Sequence, residues 1–251
     1  MENKLHKNYL SVSAYKGLQE CSAKQVAKDL GLFVEPPTKP MLIGSYVDAY
    51  FSGTLSDFRN NNPQIFKKDG NLYADFEMAE DIISFIKKDA LLMKYLTGDK
   101  MQFEVKGTIA GVEWLGYIDS LHTGKAIVDL KVVADLYTKV WSTTENMYVH
   151  FIESYGYDKQ AAIYQELYFQ MTGEKLPVFL AMVTKQQPYF DKAIVQIPQG
   201  RMDYLIDEMS EKAPSLLSMR NGSEPVKRCE KCEYCRSTKM LKETITVFDL
   251  M

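Results

Sequence analysis

Gly116-Tyr117-Ile118-Asp119 and Ile127-Val128-Asp129-Leu130-Lys131 are two short runs whose reading decides the fold. Side chains on a strand alternate between faces, so Ile127, Asp129, Lys131 and Val133 share one side. Ala126, Val128, Leu130 and Val132 share the other, which reads as the core face. The intervening Leu121-His122-Thr123-Gly124-Lys125 has the polar, glycine-containing character of a hairpin connection. It would bring Asp119 beside Asp129 on neighbouring antiparallel strands. Two opposed carboxylates on a sheet are unfavourable unless a cation compensates them. Oxygen-only sites of this kind suit magnesium, manganese or calcium. Magnesium keeps several waters, and one of them is a natural nucleophile toward a phosphodiester. Lys131, on the face of Asp129, could orient that water or neutralise charge on the phosphate. The bland alternative is a solvated polar row on an amphipathic hairpin, but Val128, Leu130, Val132 and Val133 crowd the polar residues.

Downstream, Tyr157 to Phe169 has helix-forming composition, with Gln160 and Tyr164 at i and i+4 on one face. Upstream, Gly44 to Phe51 reads as a buried helix carrying one acid, Asp48. Taken in order, G-x-x-x-D, G-x-I-D, D-x-K and Q-x-x-x-Y resemble the nuclease core of the PD-(D/E)-x-K superfamily. The pattern is most similar to the phage-type RecE-like exonucleases and, more distantly, to the RecB and AddB nuclease domains and lambda exonuclease. The resemblance covers roughly residues 9 to 240. It implies a restriction-endonuclease-like α/β fold, a central mixed sheet flanked by helices, and a metal-dependent DNA exonuclease that resects double-stranded ends for phage-type recombination. Asp119 and Asp129 would be ligands of Mg²⁺ or Mn²⁺, and Lys131 the catalytic lysine. Gln160 and Tyr164 match the helix motif that sits beside the active site and holds DNA or orders the catalytic groups. Asp48 stands where many relatives have a metal-binding histidine, a departure that still supplies an oxygen ligand. Glu104 is a weaker candidate ligand, because Gln102, Glu104, Lys106 and Thr108 form one polar strand face by period two. An endonuclease of the same fold, a CRISPR-type nuclease, and a catalytically silent DNA-binding or metal-cluster module stay open as alternatives.

Composition sets bounds. The 251 residues, 46% hydrophobic and 25% charged, are expected to form one nuclease domain over 1–251. Within it, a helical region spans about 9–98 and a cysteine-containing tail about 222–251. No apolar run approaches the ~18 residues of a membrane span, and the polar start Met1 to Lys7 does not read as a signal peptide. A cytoplasmic protein is expected. The net charge of −3 argues mildly against nucleic acid. Local distribution matters more, and Lys227-Arg228, Lys231, Arg236, Lys239 and Lys242 form a basic stretch that could face DNA. A single-strand annealing protein is the partner the resemblance implies, and it admits a homo-oligomer. No phosphate-binding glycine loop is present, and His6, His122 and His150 stand in no nucleophile–base context.

Element patterns are legible along most of the chain. One helix is expected over Ser13 to Leu30 with Gly31 as its stop, and another over Phe76 to Leu96. Three strands should follow from about Met101 to Val133, then a polar and aromatic stretch from Ala134 to Tyr148. Two more strands are expected over Leu176 to Val183 and Lys192 to Ile197, then a helix over Met202 to Leu217. Finally, Cys229, Cys232 and Cys235 cluster in the tail, and Cys21 lies near the start. Disulfides are unusual in the cytosol, so a metal site or simple thiols remain. Four thiolates could hold a 4Fe–4S cluster or a structural zinc. The pattern is similar to the iron–sulfur staple of AddB-type and CRISPR-associated nucleases, with a shorter last spacing than in AddB.

Overall fold

A computed structural model describes residues 9–142, 146–241, 244 and 246–250. In chain order the helical N-terminal part comprises β1 (Tyr9–Leu10), α1 (Val12–Asp29), α2 (Lys39–Phe51), α3 (Leu55–Asn61), α4 (Met78–Lys87) and α5 (Ala90–Leu96). The strands β2 (Lys100–Ile109), β3 (Val112–His122) and β4 (Ala126–Val133) follow, then β5 (Lys139–Ser142) and β6 (Met147–His150). The chain continues through α6 (Phe151–Ser154), α7 (Tyr157–Thr172), β7 (Val178–Thr184), β8 (Lys192–Gln196), α8 (Gln199–Asn221) and α9 (Glu233–Ser237).

Six strands make one mixed sheet in the order β1-β3-β4-β7-β8, with β2 on the other side of β3. The β4–β7 and β1–β3 pairs are parallel and the rest antiparallel. The hairpin expected between β3 and β4 forms, closed by the Lys125 N–H on the His122 carbonyl and by Gly124 at φ 68°. Paired residues stop at Ser120↔Val128, so the two strands part where Asp119 and Asp129 follow.

The expectation of one core face on β4 needs correction. Val128 and Leu130 pack with α2, α4 and α5, as expected, but Ile127 and Val133 are buried in a second cluster with residues of α1, α7 and α8. A central strand with a parallel neighbour has helices on both faces, so both of its sides are apolar. Asp129 and Lys131 are therefore polar islands in a covered face, flanked on β7 by Leu180 and Met182.

Three other expectations change in detail. The helix over Phe76 to Leu96 is two helices, because Asp89 turns its carboxylate onto the Leu92 N–H at 2.9 Å and starts α5 afresh. The polar and aromatic stretch after Ala134, to which the sequence pattern assigns no element, contains the β5–β6 hairpin, whose connection includes residues 143–145, outside the described residues. The N-terminal helix runs to Asp29 before Gly31 at φ 72°, but its backbone is extended at Cys21. That break lets Ala23 N–H reach the Lys227 carbonyl and Ser22 Oγ accept from Lys227 N–H, tying α1 to the tail.

Candidate active site

β3 changes the face it presents at Asp119. Val112, Trp114 and Ile118 enter one core cluster at even positions, and Leu121 enters the same cluster at an odd one. Asp119 lies at this switch. Its Oδ2 accepts the Leu130 N–H at 3.0 Å and its Oδ1 accepts Gln102 Nε2 at 3.1 Å. Gln102 has φ 47°, a left-handed conformation uncommon for a non-glycine residue, where β2 meets the switch.

Asp129 is buried. Its Oδ1 accepts Gln160 Nε2 at 2.9 Å, and its Oδ2 forms an ion pair with Lys131 Nζ. Lys131 Nζ also donates to Gln160 Oε1 at 3.0 Å, and Gln160 Nε2 donates to the Tyr164 hydroxyl at 2.9 Å. The helical i, i+4 spacing on α7 thus puts one amide and one phenol over the strand that carries Asp129 and Lys131. Tyr164 comes close because β3 has a glycine there: a Cβ on Gly116 would sit 2.5 Å from Tyr164 Cε1. Tyr157 covers the other side of Lys131, whose Nζ lies 4.9 Å from the ring centroid.

The electrostatics follow from this crowding. Burial and then the Asp129 and Asp48 carboxylates push Asp119 well above the usual carboxylate range. Asp48 is raised in the same way, by burial and then by Asp129. Burial alone would lower Lys131, but Asp129 and Asp119 outweigh it and hold the ammonium charged. Burial and Asp129 push the Tyr164 phenol up to about 12. Asp48 and Asp119 both feel the Asp129 charge, Lys131 offsets it, and the oxygen-only donor set is of the type that a hard divalent ion takes, although Asp129 Oδ2 is held by Lys131 here.

Asp48, Asp119, Asp129, Lys131, Gln160 and Tyr164 thus come together. Glu104 does not join them: it is exposed on β2 and accepts from the Tyr117 hydroxyl at 3.2 Å. Of the basic stretch, Arg228 is engaged by Glu230, Thr238 and the Cys235 carbonyl, so it braces the tail. Lys242 lies outside the described residues. Gln102 and Tyr157 were not read as site residues. Gln102 looked like one more residue of a polar strand face, and no periodicity encodes its positive φ; Tyr157, three residues before Gln160, carried a helical-turn signal.

The four cysteine sulfurs lie within 4.8 Å of one another, with Cys21 Sγ 3.5 Å from Cys235 Sγ. Backbone N–H groups point at them: Lys24 to Cys21 at 3.4 Å, Cys232 to Cys229 at 3.3 Å and Cys235 to Cys232 at 3.5 Å. Burial tends to raise the Cys229 thiol, but the N–H groups of Cys232 and Lys231 outweigh it and bring it down to about 6. Four convergent sulfurs, two buried and two half-buried, fed by amide donors have the donor chemistry that a thiophilic metal takes.

The family described as "PDDEXK-like domain of unknown function (DUF3799)" matches residues 11–238. A crystal structure of a "putative exonuclease" from Eubacterium rectale is 37% identical over 99% of this chain and 95% of that one, with a TM-score of 0.89. A solved structure of SSO0001 aligns at 12% identity and a TM-score of 0.29 over 76% of this chain and 84% of that one, too weak a likeness to carry argument. No curated protein matches.

Proposed function

Because the chain belongs to the PDDEXK-like DUF3799 family, we propose that it is a metal-dependent DNA exonuclease that hydrolyses phosphodiester bonds and resects double-stranded ends. The observation that carries this reading is the bonded unit of Asp129, Lys131 and Gln160 beside a second carboxylate, Asp119. The likeness to the Eubacterium rectale protein supports the exonucleolytic part of it.

A magnesium or manganese ion held by Asp119, Asp129 and Asp48 would supply the Lewis acid that polarises the phosphate and acidifies a water. The chain's own residues do the rest. Lys131, kept protonated by its carboxylates, offers positive charge to the phosphate oxygens as negative charge grows on them, so its role is electrostatic rather than basic. Gln160 joins Lys131 to Asp129 and fixes both rotamers. Tyr164, with its phenol held neutral, steadies the Gln160 amide. The resemblance to phage-type RecE-like exonucleases implies work on duplex ends beside a single-strand annealing protein in recombination, in the cytoplasm. No helix among the described residues is long and apolar enough to cross a membrane.

Two tests follow directly. Linear duplex should be shortened progressively in magnesium while covalently closed circles persist; circles cut as fast as linear DNA would replace the exonuclease with an endonuclease. Magnesium or calcium should also raise the melting temperature, and by more as pH rises. The sign comes from the raised carboxyls. Below the ordinary carboxylate range Asp119 and Asp48 are neutral and add no strain; as pH climbs through their raised values they ionise in a buried site beside Asp129 and stability is lost. The cation reverses that loss by displacing the protons. Differential scanning fluorimetry across pH with Asp119→Asn as control checks it, since the increment should flatten in the variant.

We further propose that the cysteine quartet holds a structural metal, a zinc or an iron–sulfur cluster. The spacing supports a single ion. Four ligands at about 2.3 Å around one tetrahedral centre stand about 3.8 Å apart. In a cubane each thiolate binds a different iron and the sulfurs spread wider. The separations here, all within 4.8 Å, suit the single ion.

A further inference from the structure

A cleft of about 1440 Å³ runs between α1, α8, the β5–β6 hairpin and the cysteine tail, and its lining includes Tyr157, which touches Lys131. Its volume exceeds that of a typical small-molecule pocket. Where Tyr157 lies over Lys131, Lys16 is close enough for its ammonium to feel both Lys131 and Asp129. Along its walls most charges are matched: Lys24 with Glu20, Arg201 with Glu153, and Lys159 and Lys212 sharing Glu208, which leaves one positive charge over. What is left unpaired among the described lining residues is Lys16, Lys227 and Lys231 against Glu211 alone. The catalytic acids have made the chain negative, yet this surface is positive.

Aromatic faces line the same cleft. Trp141 is 47% exposed and Tyr155 is 50% exposed, in a protein that buries Trp114 and Tyr15 completely. Tyr155 and Tyr157 rings stand 5.9 Å apart, and Lys16 Nζ donates to the Tyr155 carbonyl at 2.7 Å, so cation and aromatics are held as one unit. A duplex offers a flanking wall phosphates, sugars and groove edges, but its base faces are stacked inside the helix. Exposed aromatic rings set between cations serve bases that are unpaired and free to stack.

We propose that this cleft binds an unpaired DNA strand leading to or from the carboxylate site, with Lys16, Lys227 and Lys231 on phosphates and Trp141 and Tyr155 stacked on bases. This deepens the nuclease reading and rests on it for the identity of the nucleic acid. The test is fluorescence anisotropy of a labelled oligothymidylate of about 12 nucleotides and of a blunt duplex, without divalent ions so that nothing is cleaved. The Trp141→Ala/Tyr155→Ala protein should bind the oligothymidylate about tenfold or more weaker while its duplex affinity stays within about twofold. Lys231→Ala should reduce the slope of log affinity against log salt by about 0.7. Melting curves of each variant verify the fold. Unchanged oligothymidylate binding in the double variant overturns the proposal, and so does an equal loss on both ligands. Wild-type protein that binds the oligomer through these residues but cleaves no DNA in magnesium would remove the nuclease reading and leave the strand site standing.

Discussion

Asp129→Asn protein should cleave DNA on the order of a hundredfold more slowly than wild type in saturating magnesium, and Lys131→Ala protein by a similar factor. The reasoning runs from burial. Asp129 is 3% exposed, so the substitution removes a full negative charge where no water replaces it. The asparagine keeps the shape and one oxygen for Gln160, but it can no longer balance Lys131 or serve as a charged ligand. Losing one preorganised electrostatic partner at the reacting centre is worth about 3 kcal/mol of barrier, which is the stated factor. The loss should fall on kcat, since neither group is placed to hold DNA away from the scissile bond. Some stability should be lost with the buried ion pair, but both core clusters are untouched and loss of the Asp129 charge relieves Asp119, so the fold should persist. Single-turnover cleavage of end-labelled duplex, with contaminating nuclease excluded, measures it. Asp129→Asn protein working near the wild-type rate would remove Asp129 from the chemistry.

Why some of this was legible in the chain and some was not has a physical basis. A strand repeats every two residues, so Asp129 and Lys131 had to share a face, and a helix repeats every 3.6, so Gln160 and Tyr164 had to share one too. Local periodicity says nothing about what covers a face, and β4 therefore read as one-sided although Ile127 and Val133 are buried against α1, α7 and α8. It also assumes an unbroken ladder, whereas β3 switches face at Asp119, and Gln102 adopts a left-handed backbone opposite it. Asp89 illustrates another limit: the apolar spacing of α4 and α5 is continuous in sequence, and only the side-chain bond to Leu92 N–H divides them. The cleft was invisible for a simpler reason. Lys16, Tyr155 and Lys231 come from three distant segments, and no window of sequence contains them together.

Cys232→Ser protein should lose its bound metal and melt on the order of 10 °C lower than wild type. The four sulfurs join Cys21 in α1 to a tail more than two hundred residues away, with Cys21 and Cys235 separated by 214 positions. Closing a loop that long in the unfolded chain costs about 5 kcal/mol by analogy with a disulfide. The folded chain has already met that cost, and metal binding free energy becomes folding free energy when the unfolded chain lacks the site. For a protein of this size each kcal/mol moves the midpoint by about 2 to 4 °C. Backbone ties between Ala23, Ser22 and Lys227 would hold the tail partly in place, so the carboxylate site should keep measurable activity in the cold. Metal analysis of anaerobically purified protein identifies the occupant. One zinc per chain and no visible absorption would match the sulfur spacing, and a broad visible band with iron and sulfide would assign the cluster instead. Metal-free wild-type protein whose melting is unchanged by Cys232→Ser, even after anaerobic reconstitution with zinc or with iron and sulfide, would show that the quartet is packing and not a site.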